Sequence, residues 1–243
     1  MENLSGQIAV ITGASSGIGR AIALSLAEQG LTLCLIGRNP KSLESVSSIA
    51  TQTSPRVMSY QTDLTKDDQL QQLAERIRKD VPHINLLVHC AGVLTIGHVE
   101  ALPIKDFDIQ YGVNVRAPYV LSKALLPMIK RDAGQIVMMN SSIWQQARAG
   151  LSQYAATKYA LKAFTDSLRD EVNGDGVRVL SLFLGRTATP MQVSLHEHQG
   201  VPYHPEFLIQ PEDVAMTILY MVTLPRTSEI TEIHMRPMRK QPN

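Results

Sequence analysis

A single doubly wound α/β domain is the fold class this sequence predicts, on three observations. Short runs rich in Val, Ile and Leu recur along the chain, stretches with helical spacing separate them, and the first run breaks into a glycine-rich turn. Runs that are apolar throughout, with no polar alternation, mark strands buried on both faces, as in a parallel sheet covered by helices. Right-handed crossovers then leave few topologies.

The strands are expected at Ile8 to Ile11, Leu31 to Ile36, Val57 to Tyr60, Leu86 to His89, Ile136 to Met139, Val177 to Phe183 and Ile230 to Met235. After the first of them Ile18, Ile22 and Leu26 stand four apart beside small Ala21 and Ser25, and Gly30 suits a left-handed helix end. The stretch from Tyr154 to Val172 is strongly helical in composition. Pro190 to Pro211 holds four prolines and three histidines without helical periodicity. It is expected to be an inserted loop joining the sixth strand to a last helix that begins near Pro211. The basic tail from Met235 onward is expected to be a solvated end. No Gly/Ser or Pro-rich linker divides the chain, so residues 1–243 form one domain with 190–211 as its substrate loop.

Composition removes several function classes. With 243 residues, 44% of them hydrophobic, and 23 basic against 22 acidic side chains, the chain can bury one sizeable core and carries a formal net charge of only +1. Disorder needs the opposite balance, and a nucleic-acid binder usually shows a strong basic excess. No apolar run approaches the roughly 18 residues that cross a bilayer. The start, with Glu2 and a short apolar run before a glycine turn, lacks the pattern of a signal peptide. Cys34 and Cys90 sit in apolar strand-like surroundings, which suits buried free thiols and a cytoplasmic setting better than a disulfide framework.

The first strand runs into Thr12-Gly13-Ala14-Ser15-Ser16-Gly17-Ile18-Gly19, with the last glycine opening a helix. Glycines let the backbone turn tightly and approach phosphates, while the free N–H groups and dipole of a helix N-terminus favour negative charge. The spacing is GxxxGxG, and no Lys-Ser/Thr pair follows, which argues against an ATPase loop. The second strand ends in Gly37-Arg38-Asn39, where an enzyme using NAD normally offers an acid to the ribose hydroxyls. Arg38, with Ser15 nearby, suits the additional 2′-phosphate of NADP, the alternative being a solvated arginine. Tyr154 and Lys158 stand four apart and share one helix face. An unperturbed tyrosine titrates near pH 10, so acid/base work near neutrality calls for a cation beside it, and a lysine one turn along supplies one.

The glycine turn, the YxxxK pair and the serines at a strand end together resemble the short-chain dehydrogenase/reductase family over nearly the whole chain. The resemblance implies a Rossmann-like fold with a seven-stranded parallel sheet, a nicotinamide cofactor, and a Ser-Tyr-Lys-Asn constellation that carries hydride transfer. It matches Asp63, followed by Leu64, to the acid that contacts adenine. It matches Asn114 to the asparagine that holds a water linking the lysine to solvent. It assigns the serine to Ser141, thirteen residues before Tyr154, with Ser142 as the fallback. The family's Asn-Asn-Ala-Gly turn appears here as His89-Cys90-Ala91-Gly92, which keeps the small residues and loses the amides. Its Pro-Gly turn appears as Leu184-Gly185, followed by Thr187 and Thr189, which the resemblance sets beside the nicotinamide carboxamide.

Apart from the family, Gly13, Arg38, Asp63, Ala91, Ser141 and Gly185 all fall at or just beyond the C-terminal ends of successive expected strands. In open α/β sheets the ligand crevice lies at that edge. His196, His198 and His204 lack metal-ligand spacing, so no metal is expected; Trp144 suits the pocket, the core or an interface. The resulting expectation is an NADP(H)-dependent oxidoreductase interconverting a carbonyl and an alcohol, with Tyr154 as acid/base. Its partner is a small molecule, with no nucleic acid or membrane, and the family resemblance suggests a homodimer or homotetramer. A dinucleotide-binding sensor or structural protein without chemistry is the alternative on the same fold.

Overall fold

The structure, a computed structural model, describes residues 3–239. Seven strands, β1 (Ile8–Thr12), β2 (Thr32–Gly37), β3 (Val57–Gln61), β4 (Leu86–His89), β5 (Gln135–Ser141), β6 (Arg178–Leu184) and β7 (Glu232–Met235), form one sheet in the order β3-β2-β1-β4-β5-β6-β7. Every pairing is parallel. The chain builds outward from β1 to β3, then crosses back to place β4 on the other side of β1. That reversal opens a crevice beyond the carboxyl ends of β1 and β4.

Side-chain alternation along the buried strands feeds two separate cores. Ala9, Ile11, Leu33, Leu35, Leu86, Val88 and Val137 face one side, where α1 (Gly17–Glu28), α2 (Pro40–Ala50) and α8 (Pro211–Val222) contribute Leu26, Leu43, Val46 and Ile218. Ile8, Val10, Cys34, Ile36, Leu87, Ile136 and Met138 face the other, against Leu70, Leu73, Leu121, Leu125 and Leu161 of α3 (Asp67–Asp80), α5 (Ala117–Lys130) and α6 (Ser152–Val172). Each such aliphatic side chain contributes about 1.5–3 kcal/mol on full burial. A strand apolar at every position is therefore what a two-sided core requires, and the register of each strand is fixed from both faces.

The segment 190–211 departs from its expectation. Pro190–Gln199 is a helix, α7, and Pro205–Phe207 is a single 3-10 turn. Its apolar residues do not repeat with helical spacing because α7 covers the crevice rather than a core, and only His196 on it is buried. The signals it does carry are terminal: Pro190 occupies the first turn, and Gly200 stops the helix in the left-handed region at φ 64°. The tail is solvated as expected at Arg236, Met238 and Arg239, but it starts inside β7 with Met235, and the Arg236 backbone and Pro237 ring lie against Gly185. Residues 240–243 of that tail, and Glu2, lie outside the described residues.

The glycine turn is the least forgiving part of the backbone. A Cβ on Gly19 would run into the carbonyl oxygen of Gly13, a backbone atom that cannot swing aside. Gly19→Ala is expected to cost roughly 3 kcal/mol, read as a lower urea midpoint at unchanged slope.

Candidate active site

The crevice is a cleft of about 1090 Å³ lined from the glycine turn at one end to Tyr154 and α7 at the other. Its floor is the contact between two strand ends. Gly13, at φ 69°, lies so close to Ala91 that an added Cβ would stand 2.8 Å from the Ala91 nitrogen. The Thr12 hydroxyl accepts from the backbone N–H of both Cys90 and Ala91 at 3.1 Å. His89 is buried and bonds the Ser122 hydroxyl through Nε2 at 2.9 Å; burial pushes its pKa down to about 3, so it is neutral. A threonine hydroxyl and a neutral histidine thus brace the turn in which the family's amides are missing.

At the adenine end Ser15 touches the tip of β2, where a Cβ on Gly37 would meet its side chain at 3.1 Å, and Arg38 follows in solvent. Asp63 accepts from the Thr65 N–H at 3.0 Å and the Thr65 hydroxyl at 2.8 Å. Burial opposes its ionisation, but those bonds and the charges of Arg38 and Lys66 outweigh it and hold the carboxyl below its ordinary value. Leu64 beside it is buried, and Ser16, Gly17 and Ile18 complete the lining of the turn. Gly17 lies against Thr189, whose methyl would be 3.0 Å from a Cβ there. The glycine turn and the start of α7 therefore face each other across the cleft.

At the far end Ser141 is the last residue of β5, and its side chain lies close enough to that of Tyr154 from α6 to favour ionisation of the phenol. Ser142 also lines the cleft but is exposed and is not among the groups acting on the phenol, which favours the first serine of the pair. Burial pushes the Tyr154 phenol up to about 12, with Ser141 pulling the other way. The lowering expected from Lys158 is not among the causes of that shift. Lys158 is buried one turn on, its Nζ 5.6 Å from the Tyr154 ring centre, and donates to the Met139 carbonyl at 2.9 Å. Burial lowers the Lys158 ammonium to about 8.

Asn114 sits in a π turn, Gly112–Arg116, between α4 (Ile104–Tyr111) and α5. Its Oδ1 accepts from Val93 N–H at 2.9 Å, while Nδ2 donates to Val93 O at 2.9 Å and to the Thr157 hydroxyl at 3.1 Å. It ties the loop after β4 to α6 and does not bond Lys158. After β6, Gly185 N–H donates to Met235 O at 2.8 Å and the Thr187 hydroxyl to Gly185 O at 3.2 Å. Strand β7 thereby secures a turn that has no proline.

Residues 7–200 match the sequence model of the short chain dehydrogenase family. The chain belongs to that family. It is 30% identical over 241 residues to an uncharacterised oxidoreductase of Staphylococcus aureus strain MRSA252, covering 98% of this chain and 100% of that protein. It is 30% identical over 239 residues to the glycine betaine reductase ATRR of Emericella nidulans, but that match spans 96% of this chain and only 19% of the reductase. Among solved structures, an alcohol dehydrogenase of the archaeon Thermococcus sibiricus complexed with 5-hydroxy-NADP superposes with a TM-score of 0.88 at 26% identity, covering 98% of this chain and 100% of that one.

In this short-chain dehydrogenase every residue expected to bind cofactor or take part in the chemistry lines the one cleft, except Asn114, which supports it from behind. The expected substrate loop 190–211 does border the cleft, through Met191, Gln192 and Leu195 of α7, while Gln145, Gln146 and Arg148, which also line it, carried no signal in the sequence. Trp144 lies outside the cleft lining, packed on Phe183 with ring centres 5.0 Å apart. Among the described residues no three His, Cys, Asp or Glu side chains group as metal ligands, and no helix is long and apolar enough to cross a membrane.

Proposed function

We propose that this chain is an NADP(H)-dependent oxidoreductase that interconverts a carbonyl and an alcohol, with Tyr154 as the acid/base. The observation that carries the reading is that Ser141, Tyr154 and Lys158 line the same cleft as the glycine turn and Arg38. The residues present suit a phosphorylated dinucleotide. The N-terminus of α1 has no side-chain cap and no acid in its first turn, so its N–H groups are free for a pyrophosphate. Arg38 stands where an acid would repel a 2′-phosphate. When bound, the nicotinamide supplies or accepts the hydride.

The chain's own residues then have separable tasks. Ser141 hydrogen-bonds the substrate oxygen and fixes it beside Tyr154. The buried phenol is protonated at neutral pH, so it is ready to give its proton to an oxygen that gains charge as the carbonyl is reduced. The phenolate left behind is stabilised by the Lys158 ammonium, which also serves to hold the nicotinamide ribose. Asn114 keeps the Val93 loop and α6 in register, and Thr187 and Thr189 orient the carboxamide. Both cysteines are free thiols, in keeping with a cytoplasmic site of action. Tyr119 and Tyr159, 51% and 46% exposed on α5 and α6, offer a face for a second copy of the chain.

A panel of aldehydes, ketones and alcohols followed by nicotinamide absorbance tests the reaction; NADPH binding without turnover of any member would favour a silent dinucleotide binder. Cofactor choice is tested by calorimetry. The wild type is expected to bind NADPH at least about tenfold more tightly than NADH, and Arg38→Asp to reverse the order. Equal affinities in the wild type would make the arginine a bystander.

A further inference from the structure

The two ends of the cleft differ in how their charges are paired. On the half built by β1, β2 and β3, Arg38 is balanced by Asp63, the only carboxylate of the lining among the described residues. On the half built by β5, β6 and β7 three arginines line the cleft: Arg148 in the loop between β5 and α6, Arg186 directly after β6, and Arg236 directly after β7. All three are exposed, and among the described residues none has a side-chain hydrogen bond or an ion pair. Five arginines away from the cleft are held: Arg56, Arg78, Arg131 and Arg169 each donate to a backbone carbonyl, and Arg116 pairs with Asp67, whereas Arg20 and Arg239 stand free on the open surface among the described residues. Three loops that are far apart in sequence thus bring unpaired guanidinium groups to one rim. No carboxylate of the lining faces them.

The same lining also holds apolar side chains, Leu94, Ile96 and Leu151 from the loops after β4 and β5 and Met191 and Leu195 from α7. On the same α7 wall the Gln192 side-chain oxygen is buried without a hydrogen-bond partner. A guanidinium with no internal partner offers its fork to a planar or tetrahedral anion, and several together focus a positive field into the cleft mouth.

We propose that the substrate carries an anionic group, a carboxylate or a phosphate monoester, separated from its reacting carbonyl by an apolar spacer, and that Arg148, Arg186 and Arg236 receive it. The proposal deepens the oxidoreductase reading and rests on it for the position of the carbonyl beside Tyr154. It places the charge at the rim and the spacer between the loop walls and α7.

The test compares para-carboxybenzaldehyde, its methyl ester and para-formylphenyl phosphate as substrates with NADPH. In parallel, calorimetry measures binding of the matching alcohols to the NADPH-loaded protein, a readout that needs no turnover. At least one anionic aldehyde is expected to exceed the ester by about tenfold or more in kcat/KM, mainly through KM, and its advantage should shrink as salt is raised. Whichever anion binds more tightly identifies the source of the charge. In the triple variant Arg148→Gln, Arg186→Gln, Arg236→Gln the ratio of acid to ester should collapse toward one while NADPH affinity is kept. An ester reduced as well as both anions, or a preference that survives the triple variant, overturns the anion site and leaves the oxidoreductase reading standing. Arginine-dependent binding of the anionic alcohol with no turnover of any aldehyde does the reverse.

Discussion

Tyr154→Phe is expected to lower turnover by about a hundredfold or more while leaving NADPH affinity within about twofold. The ring stays, so the packing of α6 against the cleft is kept and only the proton carrier is lost. Ser141 still accepts from the Ile143 N–H at 3.3 Å, so its hydroxyl is not orphaned by the change. Stability should barely move, because the phenol is neutral at pH 7 and no buried charge is removed with it. Single-turnover measurements of NADPH oxidation separate chemistry from product release and read the effect directly. A Phe variant that turns over within threefold of wild type would remove Tyr154 from the acid/base role. Ser141→Ala should show a smaller loss, since it removes a hydrogen bond to the substrate oxygen but no proton donor.

What could be read in advance follows from where the physical constraint lies. The sheet was legible because a strand buried on both faces must be apolar throughout, and Ile8–Thr12, Gln135–Ser141 and Arg178–Leu184 are buried along nearly their whole length. Segment limits shifted by a residue or two where a strand took in a flanking polar residue such as Gln135, or began one residue later than expected, as at Arg178. The dinucleotide end was legible because a backbone that must approach a phosphate has few residue choices, and Gly13 and Gly19 leave no room for a Cβ. Helix α7 was not, since it lies over a cleft and presents no continuous apolar stripe to a core. The arginines of the cleft lining were equally hidden, because Arg148, Arg186 and Arg236 are far apart in sequence and reach one cleft only through the order of the strands. Spacing sets a lysine one turn from Tyr154, but it does not reveal that its Nζ binds the Met139 carbonyl or that burial is the largest influence on the phenol.

That burial leads to the second large effect. Lys158→Met is expected to abolish turnover to within about a thousandth of wild type and yet to raise the melting temperature of the free protein by a few degrees. The ammonium is depressed from 10.5 to about 8 by burial. Below pH 8 it is charged in both the folded and the unfolded chain, so the folded chain bears the cost of holding that charge away from water. Between pH 8 and about 10.5 the folded chain releases the proton first, and the cost is relieved as pH rises. Methionine has similar length and no charge, so at pH 7 it removes a penalty of about 3 kcal/mol. Loss of the bond to Met139 O offsets about 1–2 kcal/mol of that gain. The stability difference between variant and wild type should therefore be largest near pH 7 and close by pH 10, followed by calorimetry at each pH. In wild type, kcat/KM for carbonyl reduction should fall as pH rises through about 8, where the free protein loses the cation that stabilises the phenolate. A Lys158→Met variant that is less stable than wild type at pH 7, or that keeps its activity, would show that Lys158 is an ordinary packing residue, held there by its hydrogen bond to β5.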